Sequence, residues 1–271
     1  MPKLPAPISR FHQAAVITIG ITIGAAILHG PLAWIPAMLF VLVCAGASFS
    51  PRSSFYLPVI SRGSGSGGSV ALTFDDGPDP ATTPRLLDLL AANGSQATFF
   101  VTGARARAYP ELIRAIAAAG HTLGNHSFAH NPLIAFKRRK YLLEDIAATQ
   151  QELERHGIAS RVFRPPVGIT YPGLAPVLAA LDLTAVGFSC RALDFGNRRV
   201  VHISRRILAC AGPGDIIMLH DLPPRHPGQA EVWLAQIEVL LKGLQTKKLV
   251  IRPLGEMIGL TIDNRDAKAE R

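Results

Sequence analysis

The sequence has 271 residues, enough for one large domain with an appendage or for two small domains, and it is 48% hydrophobic but only 17% charged. With a mean hydropathy of +0.26 it is too apolar for an ordinary soluble enzyme, which assigns part of it to a membrane. A net charge of +9 suits a partner bearing phosphates, whether nucleic acid, anionic lipid or a lipid-phosphate-linked substrate. The three scattered cysteines, Cys44, Cys190 and Cys210, exclude a disulfide framework and a CxxC zinc pattern, and read as isolated buried thiols.

Phe11 to Leu28 and Leu32 to Phe49 are two runs without a formal charge, each near the lower limit of the roughly 17–25 residues that cross a bilayer. Separated by "HGP" at 29–31, they predict a transmembrane helical hairpin. One span plus a re-entrant segment, or a cleaved secretory peptide, are the alternatives. Lys3 and Arg10 precede the first run, and Arg52 and Arg62 follow the second. By the positive-inside rule, both ends and everything after them lie on the cytoplasmic side of a bacterial-type inner membrane. Residues 1–60 thus read as a membrane anchor that meets lipid through residues 11–49, and "SRGSGSGGS", 61–69, reads as a flexible linker.

From residue 70 to 264 short apolar runs alternate with helical segments. "VALTF" (70–74) leads to a helix over 83–94, and "ATFFV" (97–101) to one opened by Pro110 and closed by Gly120. "HTLGN" (121–125) precedes a loop and a long helix over 137–157. "RVF" (161–163), "TAVGF" (184–188), "DIIML" (215–219) and "LVI" (249–251) are further strands, with helical stretches at 199–210 and 228–243. About seven such repeats predict a parallel sheet closed or nearly closed into a (β/α) barrel, followed by a polar tail, 265–271. No GxGxxG follows the first strand, so a nucleotide fold has no support.

Polar residues collect at the strand ends: Asp75 and Asp76, His126, Arg164, Asp194, His220 and Asp221. In a barrel those ends share the face where chemistry sits. Two adjacent aspartates repel one another when both are ionised. "NHSFAH" (125–130) supplies His126 and His130, and two histidines with one acid make a metal site with open positions for water. A divalent cation would neutralise one aspartate and leave the other free to take a proton from water. Arg164 in "FRPPVG" can pair with a carboxylate, and His220 in "DIIMLHDL" is the candidate proton donor to a leaving group. Each feature alone has a blander reading, as a polar turn, an exposed cation or a structural histidine; their joint occurrence favours a site.

"TFDDGP", "HSFAH", "FRPPVG" and "LHD", in that order over about residues 69–264, resemble the polysaccharide deacetylase family, carbohydrate esterase family four. The resemblance implies a distorted (β/α) barrel that removes an N-acetyl or O-acetyl group from a sugar with one divalent metal ion, often zinc or cobalt. It also implies roles. Asp75 would be the general base, and Asp76, His126 and His130 would bind the metal. Arg164 would hold Asp75, His220 would be the general acid tuned by Asp194, and the backbone N–H of Val167 would help stabilise the oxyanion.

Three positions depart from the pattern. Val167 stands where an aromatic residue is common, Arg191 where an acid is, and Phe195 where a tryptophan is. These alter the substrate groove rather than the reacting groups. The sequence therefore predicts a membrane-anchored, metal-dependent sugar deacetylase or deformylase acting on a glycan or glycolipid. A barrel kept as a carbohydrate-binding scaffold is the alternative, and nucleic acid is not expected as a partner. "KRRK", 137–140, opens a helix where cations oppose the helix dipole, so a solvated face or contact with anionic lipid or a diphosphate explains it better than helix stabilisation.

Overall fold

A computed structural model describes residues 9–29, 34–226 and 228–262. Strand β1 (Val59–Ile60) is followed by β2 (Ser69–Asp75), β3 (Thr98–Val101), β4 (Thr122–Asn125), β5 (Val162–Phe163), β6 (Thr184–Val186), β7 (Cys190–Arg191), β8 (Ile216–His220) and β9 (Val250–Ile251). The sheet order is β1-β6-β5-β4-β3-β2-β8-β7, with β9 also against β2, and every strand ladder is parallel. Residues 187–189 carry the chain directly from β6 to β7 at the far edge. Gly187 N–H donates to Ile60 and Ser189 N–H to Ile216, at 2.9 and 3.0 Å, so this short link runs between the two sides of a distorted half-barrel. The distorted barrel expected from the repeat pattern is thus present.

β2 lies at its centre because "VALTFD" is buried on both faces, as a parallel strand between neighbours requires. Outside it, Phe74, Phe99, Leu86, Ile113, Trp233 and Ile237 pack in one cluster. They join the sheet to α3 (Thr83–Ala92), α5 (Pro110–Ala118) and α9 (Gln229–Thr246). The barrel interior is small: Ala71, Phe100, Val186, Phe188, Ile216 and Met218 fill it, with Leu254 and Met257 of α10 (Leu254–Ile258) in the same cluster. A third cluster joins α6 (Arg139–Glu154) and α7 (Leu174–Ala180) to the N-terminal segment through Phe11, Cys44, Ala47, Tyr56 and Leu57. Short helices α4 (Gly103–Ala108) and α8 (Ile203–Cys210) complete the set.

At the start of the chain, α1 (Arg10–His29) and α2 (Trp34–Ser48) pack together. Among the described residues, only α1 is long and apolar enough to cross a bilayer. The 15 residues of α2 span about 22 Å at 1.5 Å each, short of a hydrocarbon core of about 30 Å. The two-span hairpin therefore finds support for one span. The predicted turn at 30–31, Lys3 and the tail at 265–271 lie outside the described residues.

Three expectations are corrected. The Gly/Ser segment at 61–69 is not a free coil. Arg62 forms a 3.1 Å ion pair with Asp215, and the N–H groups of Gly63 and Ser64 donate to Gly214 and Met257. Backbone hydrogen bonding to the barrel overrides its flexible composition. The anchor does not extend to residue 60 either, because β1 pairs with β6 inside the sheet. Finally, Cys190 and Cys210 form a disulfide, and Cys44 alone is free. A separation of 20 residues in sequence hides the pairing, because β7 and the end of α8 meet only in the fold.

Candidate active site

β2 and β8 run side by side with Asp75 opposite His220 in register. The cleft above them has a volume of about 570 Å³, and its lining includes Asp75, Asp76, His126, His130, Val167 and His220. Of the strand-end residues singled out in the sequence, Asp75, Asp76, His126, Asp194 and His220 line this cleft, Arg164 is buried behind Asp75, and Asp221 bonds Thr82 and Thr83 instead.

Asp75 is buried and pairs with the equally buried Arg164, Nη1 to Oδ1 at 2.6 Å. The guanidinium also donates to Thr73 Oγ1 and to the carbonyls of Val186 and Gly187, and lies 4.0 Å from the Phe100 ring centroid. Burial pushes the Arg164 pKa down, and Asp75 opposes that shift. A planar fork with bonds on each edge fixes one carboxylate oxygen of Asp75 and leaves the other for the cleft.

Asp76 follows in the left-handed region at φ +74°, which turns its side chain away from that of Asp75. Its Oδ1 lies 3.3 Å from His126 Nε2 and 3.0 Å from His130 Nε2, and the three candidate ligand atoms lie within 4.8 Å of one another. Oδ1 is nevertheless buried without a hydrogen bond of acceptable geometry. His126 Nδ1 sits 2.7 Å from the Arg164 carbonyl, which can only accept, so Nδ1 carries the proton. With that proton on Nδ1, Nε2 is the ring atom left to offer a lone pair, and it faces a carboxylate oxygen. Acceptors facing one another in a buried pocket call for a cation, and two imidazoles with one carboxylate are a donor set for zinc or a similar divalent ion. Burial alone would raise the Asp76 pKa, but hydrogen bonds and positive charge from the facing imidazoles, in their protonated forms, outweigh it and hold the carboxyl well below its usual range. Burial works against a charge on His130, yet Asp76 raises its pKa above the ordinary value. Without an ion, a proton on His130 is what balances Asp76.

The histidines sit on a loop, not a helix, with Ser127 and His130 at positive φ. Ser127 Oγ accepts the His130 N–H at 3.1 Å, and Asp145 of α6 accepts the N–H groups of Phe128 and Ala129 at 2.9 and 3.2 Å. Asp145 was not singled out in the sequence. An acid in the middle of a helix far along the chain carries no local signal of this role.

His220 Nδ1 lies 2.8 Å from Asp194 Oδ2, which leaves Nε2 for the cleft. Burial disfavours the imidazolium, but the Asp194 hydrogen bond and charge, with Asp76 and Asp75 behind, raise the His220 pKa to about 9. A cation bound at Asp76 would cancel part of that field. Asp194 makes no ion pair with Arg191 among the described residues. Val167, at φ +51° in the turn Pro166–Gly168, lines the cleft, and its N–H has no protein partner among the described residues.

Asp221 serves the scaffold. Thr82 and Thr83 donate their hydroxyls to it at 2.7 and 2.5 Å, and burial raises its pKa to about 6. A Cβ on Gly77 would come within 2.5 Å of Asp221 Oδ2, so only glycine fits between the aspartate pair and this anchor.

Comparison with known proteins agrees with this geometry. A family model described as polysaccharide deacetylase matches residues 62–186. A chitooligosaccharide deacetylase of Sinorhizobium fredii is 35% identical over 208 residues, 73% of this chain and 96% of that protein. Among solved structures, the Bc1960 peptidoglycan N-acetylglucosamine deacetylase superposes with a TM-score of 0.69 at 28% identity, covering 75% of this chain and 94% of that one. A family 4 carbohydrate esterase from Streptomyces lividans, in complex with acetate, gives 0.60 at 34% identity, over 68% and 91%. The chain belongs to the polysaccharide deacetylase family and is a hydrolase of carbon–nitrogen bonds other than peptide bonds, acting on glycans.

Proposed function

We propose that this protein is a bilayer-associated, metal-dependent deacetylase that removes an N-acetyl (or formyl) group from an amino sugar of a glycan or lipid-linked glycan. The observation that carries the chemistry is the placement of Asp75 and His220 as register partners beside the Asp76–His126–His130 trio. The trio would hold one divalent ion, zinc or another such as cobalt, which when bound supplies a Lewis acid for the amide carbonyl and for water. Asp75, oriented by Arg164, takes a proton from the attacking water. The N–H of Val167, a residue lining the cleft, would donate to the oxygen that becomes negative. His220, protonated through Asp194, gives its Nε2 proton to the departing nitrogen. The C–N bond then breaks, and a carboxylate and an amine leave.

Several features support work at a bilayer. α1 and α2 leave large apolar side chains in the open, with Val16 at 71% and Leu42 at 61% exposure. The end of α2 and the segment after it pack beside the cleft wall. Thr170 N–H donates to Ser48, the Arg52 guanidinium donates to the Ser189 carbonyl, and Gly187 leaves no room for a Cβ against the Pro51 carbonyl. On the same side of the domain, Ile134 and Ala135 pack in one cluster with Phe11 and Cys44. Their neighbours Leu133 and Phe136 are exposed beside "KRRK". Apolar tips next to cations suit an anionic lipid surface.

The flanking cations favour the cytoplasmic face. The Cys190–Cys210 disulfide favours an oxidising compartment, and it outweighs the cations because such bonds rarely persist in a reducing one. Acetate and formate release by the full-length protein, tested on chitooligosaccharides, peptidoglycan fragments and polyprenyl-phosphate sugars, tests the reading. Release from none of them by metal-loaded protein would favour the scaffold alternative.

A further inference from the structure

Each carboxylate lining the cleft already has a protein counterpart: Asp75 has Arg164, Asp76 has the two imidazoles, and Asp194 has His220. Arg191 and Arg198 line the same cleft, both exposed, and neither forms an ion pair among the described residues. Arg191 lies opposite Met218 in the β7–β8 ladder, two residues before His220, so that all three fall on the face that lines the cleft. Its guanidinium lies 5.7 Å from the ring centroid of Phe188, another cleft residue.

The loop that carries these arginines is tied down along its length. Cys190 is bridged to α8, Arg206 donates to the Ala192 carbonyl at 3.3 Å, and Asp194 bonds His220. The Asn197 amide donates to the carbonyls of His220 and Leu222 at 3.0 and 2.6 Å. Two guanidiniums without a carboxylate partner thus stand on a fixed platform in the cleft. A neutral sugar offers nothing to offset them.

Resting on the deacetylase reading above, we propose that Arg191 and Arg198 form an anion subsite. Its ligand is a phosphate or carboxylate group covalently attached to the substrate near the acetamido sugar. Charge-assisted, forked hydrogen bonds to such a group add affinity that a neutral oligosaccharide lacks.

Three matched probes test this: diacetylchitobiose, its 1-phosphate, and the N-acetylglucosamine–N-acetylmuramic acid disaccharide, which carries a carboxylate. Kd by calorimetry and KM by acetate release would be measured on the zinc-loaded full-length protein at low and high ionic strength. At least one anionic probe should bind on the order of tenfold more tightly than the neutral one, a difference of about 1.4 kcal/mol. The preference should shrink with salt. It should fall to about unity in Arg191→Gln/Arg198→Gln and survive in part in Arg191→Lys/Arg198→Lys. Preference for the 1-phosphate identifies a phosphate, and preference for the muramic acid probe identifies a carboxylate. Equal Kd for all three in the wild type, or an unchanged ratio in the Gln variant, overturns the subsite. Anion preference in Kd without acetate release from any probe would instead reject the deacetylase reading and leave the subsite standing.

Discussion

Arg164 reaches His126 and Asp75 at once. Its carbonyl sits 2.7 Å from the His126 Nδ1, while its guanidinium holds Asp75 at 2.6 Å. One residue therefore sets the tautomer of a proposed metal ligand through its backbone and the orientation of the proposed base through its side chain. Arg164→Lys should separate the two functions. The backbone bond survives, so zinc content by elemental analysis should stay near that of the wild type. A lysine cannot reproduce the bonds to Thr73, Val186 and Gly187, so kcat should fall at least tenfold. Arg164→Ala leaves the Asp75 charge buried and unpaired and should cost about 3–5 kcal/mol in a denaturation measurement.

The trio should release its ion as pH falls. Asp76 raises the His130 pKa, so a proton competes with the metal from somewhat above pH ~6.5, the ordinary imidazole value, downward. Apparent zinc affinity, followed by competition with a chromophoric chelator, should drop by up to about tenfold per pH unit in that range. His126→Ala and His130→Ala should lose affinity and turnover together. Full zinc occupancy in both would remove them from the ligand set.

Much of this was legible in the sequence because the barrel's repeat puts each strand's last residue on one face. Asp75, His126, Arg164 and His220 could be read from where apolar runs stop. The groups that hold them could not. Asp145 supports the histidine loop from α6, Asn197 ties the arginine loop to β8, and Asp221 faces two threonines rather than the cleft. Those roles depend on side-chain direction and long-range packing, which periodicity does not encode. The same limit hid the Cys190–Cys210 bridge, and it left "SRGSGSGGS" looking like a free linker when its backbone bonds to the barrel.

His220 should set the basic limb of the pH–rate profile. With its pKa raised to about 9, the imidazolium and its pairing with Asp194 persist below that value and are lost as pH rises through it. Asp194→Asn removes the principal counter-charge, so the limb should move to lower pH while zinc content holds. His220→Ala should lose on the order of 10²–10⁴ in rate. Near-normal turnover of that variant across the range would assign the acid to another group.

The disulfide predicts the compartment. Protein from cells quenched in acid and alkylated should show Cys190 and Cys210 blocked and only Cys44 reactive, and a reporter active only in the periplasm should work when fused after Arg271. Free Cys190 and Cys210 thiols together with a silent periplasmic reporter would place the barrel in the cytoplasm, as the flanking cations indicate.

The central claim is that Asp75, beside a metal held by Asp76, His126 and His130, drives hydrolysis of a sugar acetamide. The most direct measurement is the zinc titration of acetate release by the full-length protein, with the free amine counted in parallel, for the wild type and Asp75→Asn. The account predicts acetate and amine in equal amounts, rising to a plateau at one zinc per chain in the wild type and staying near background in Asp75→Asn at the same zinc content. Equal release by the two proteins, or release unchanged after zinc is stripped and its absence verified, would contradict it.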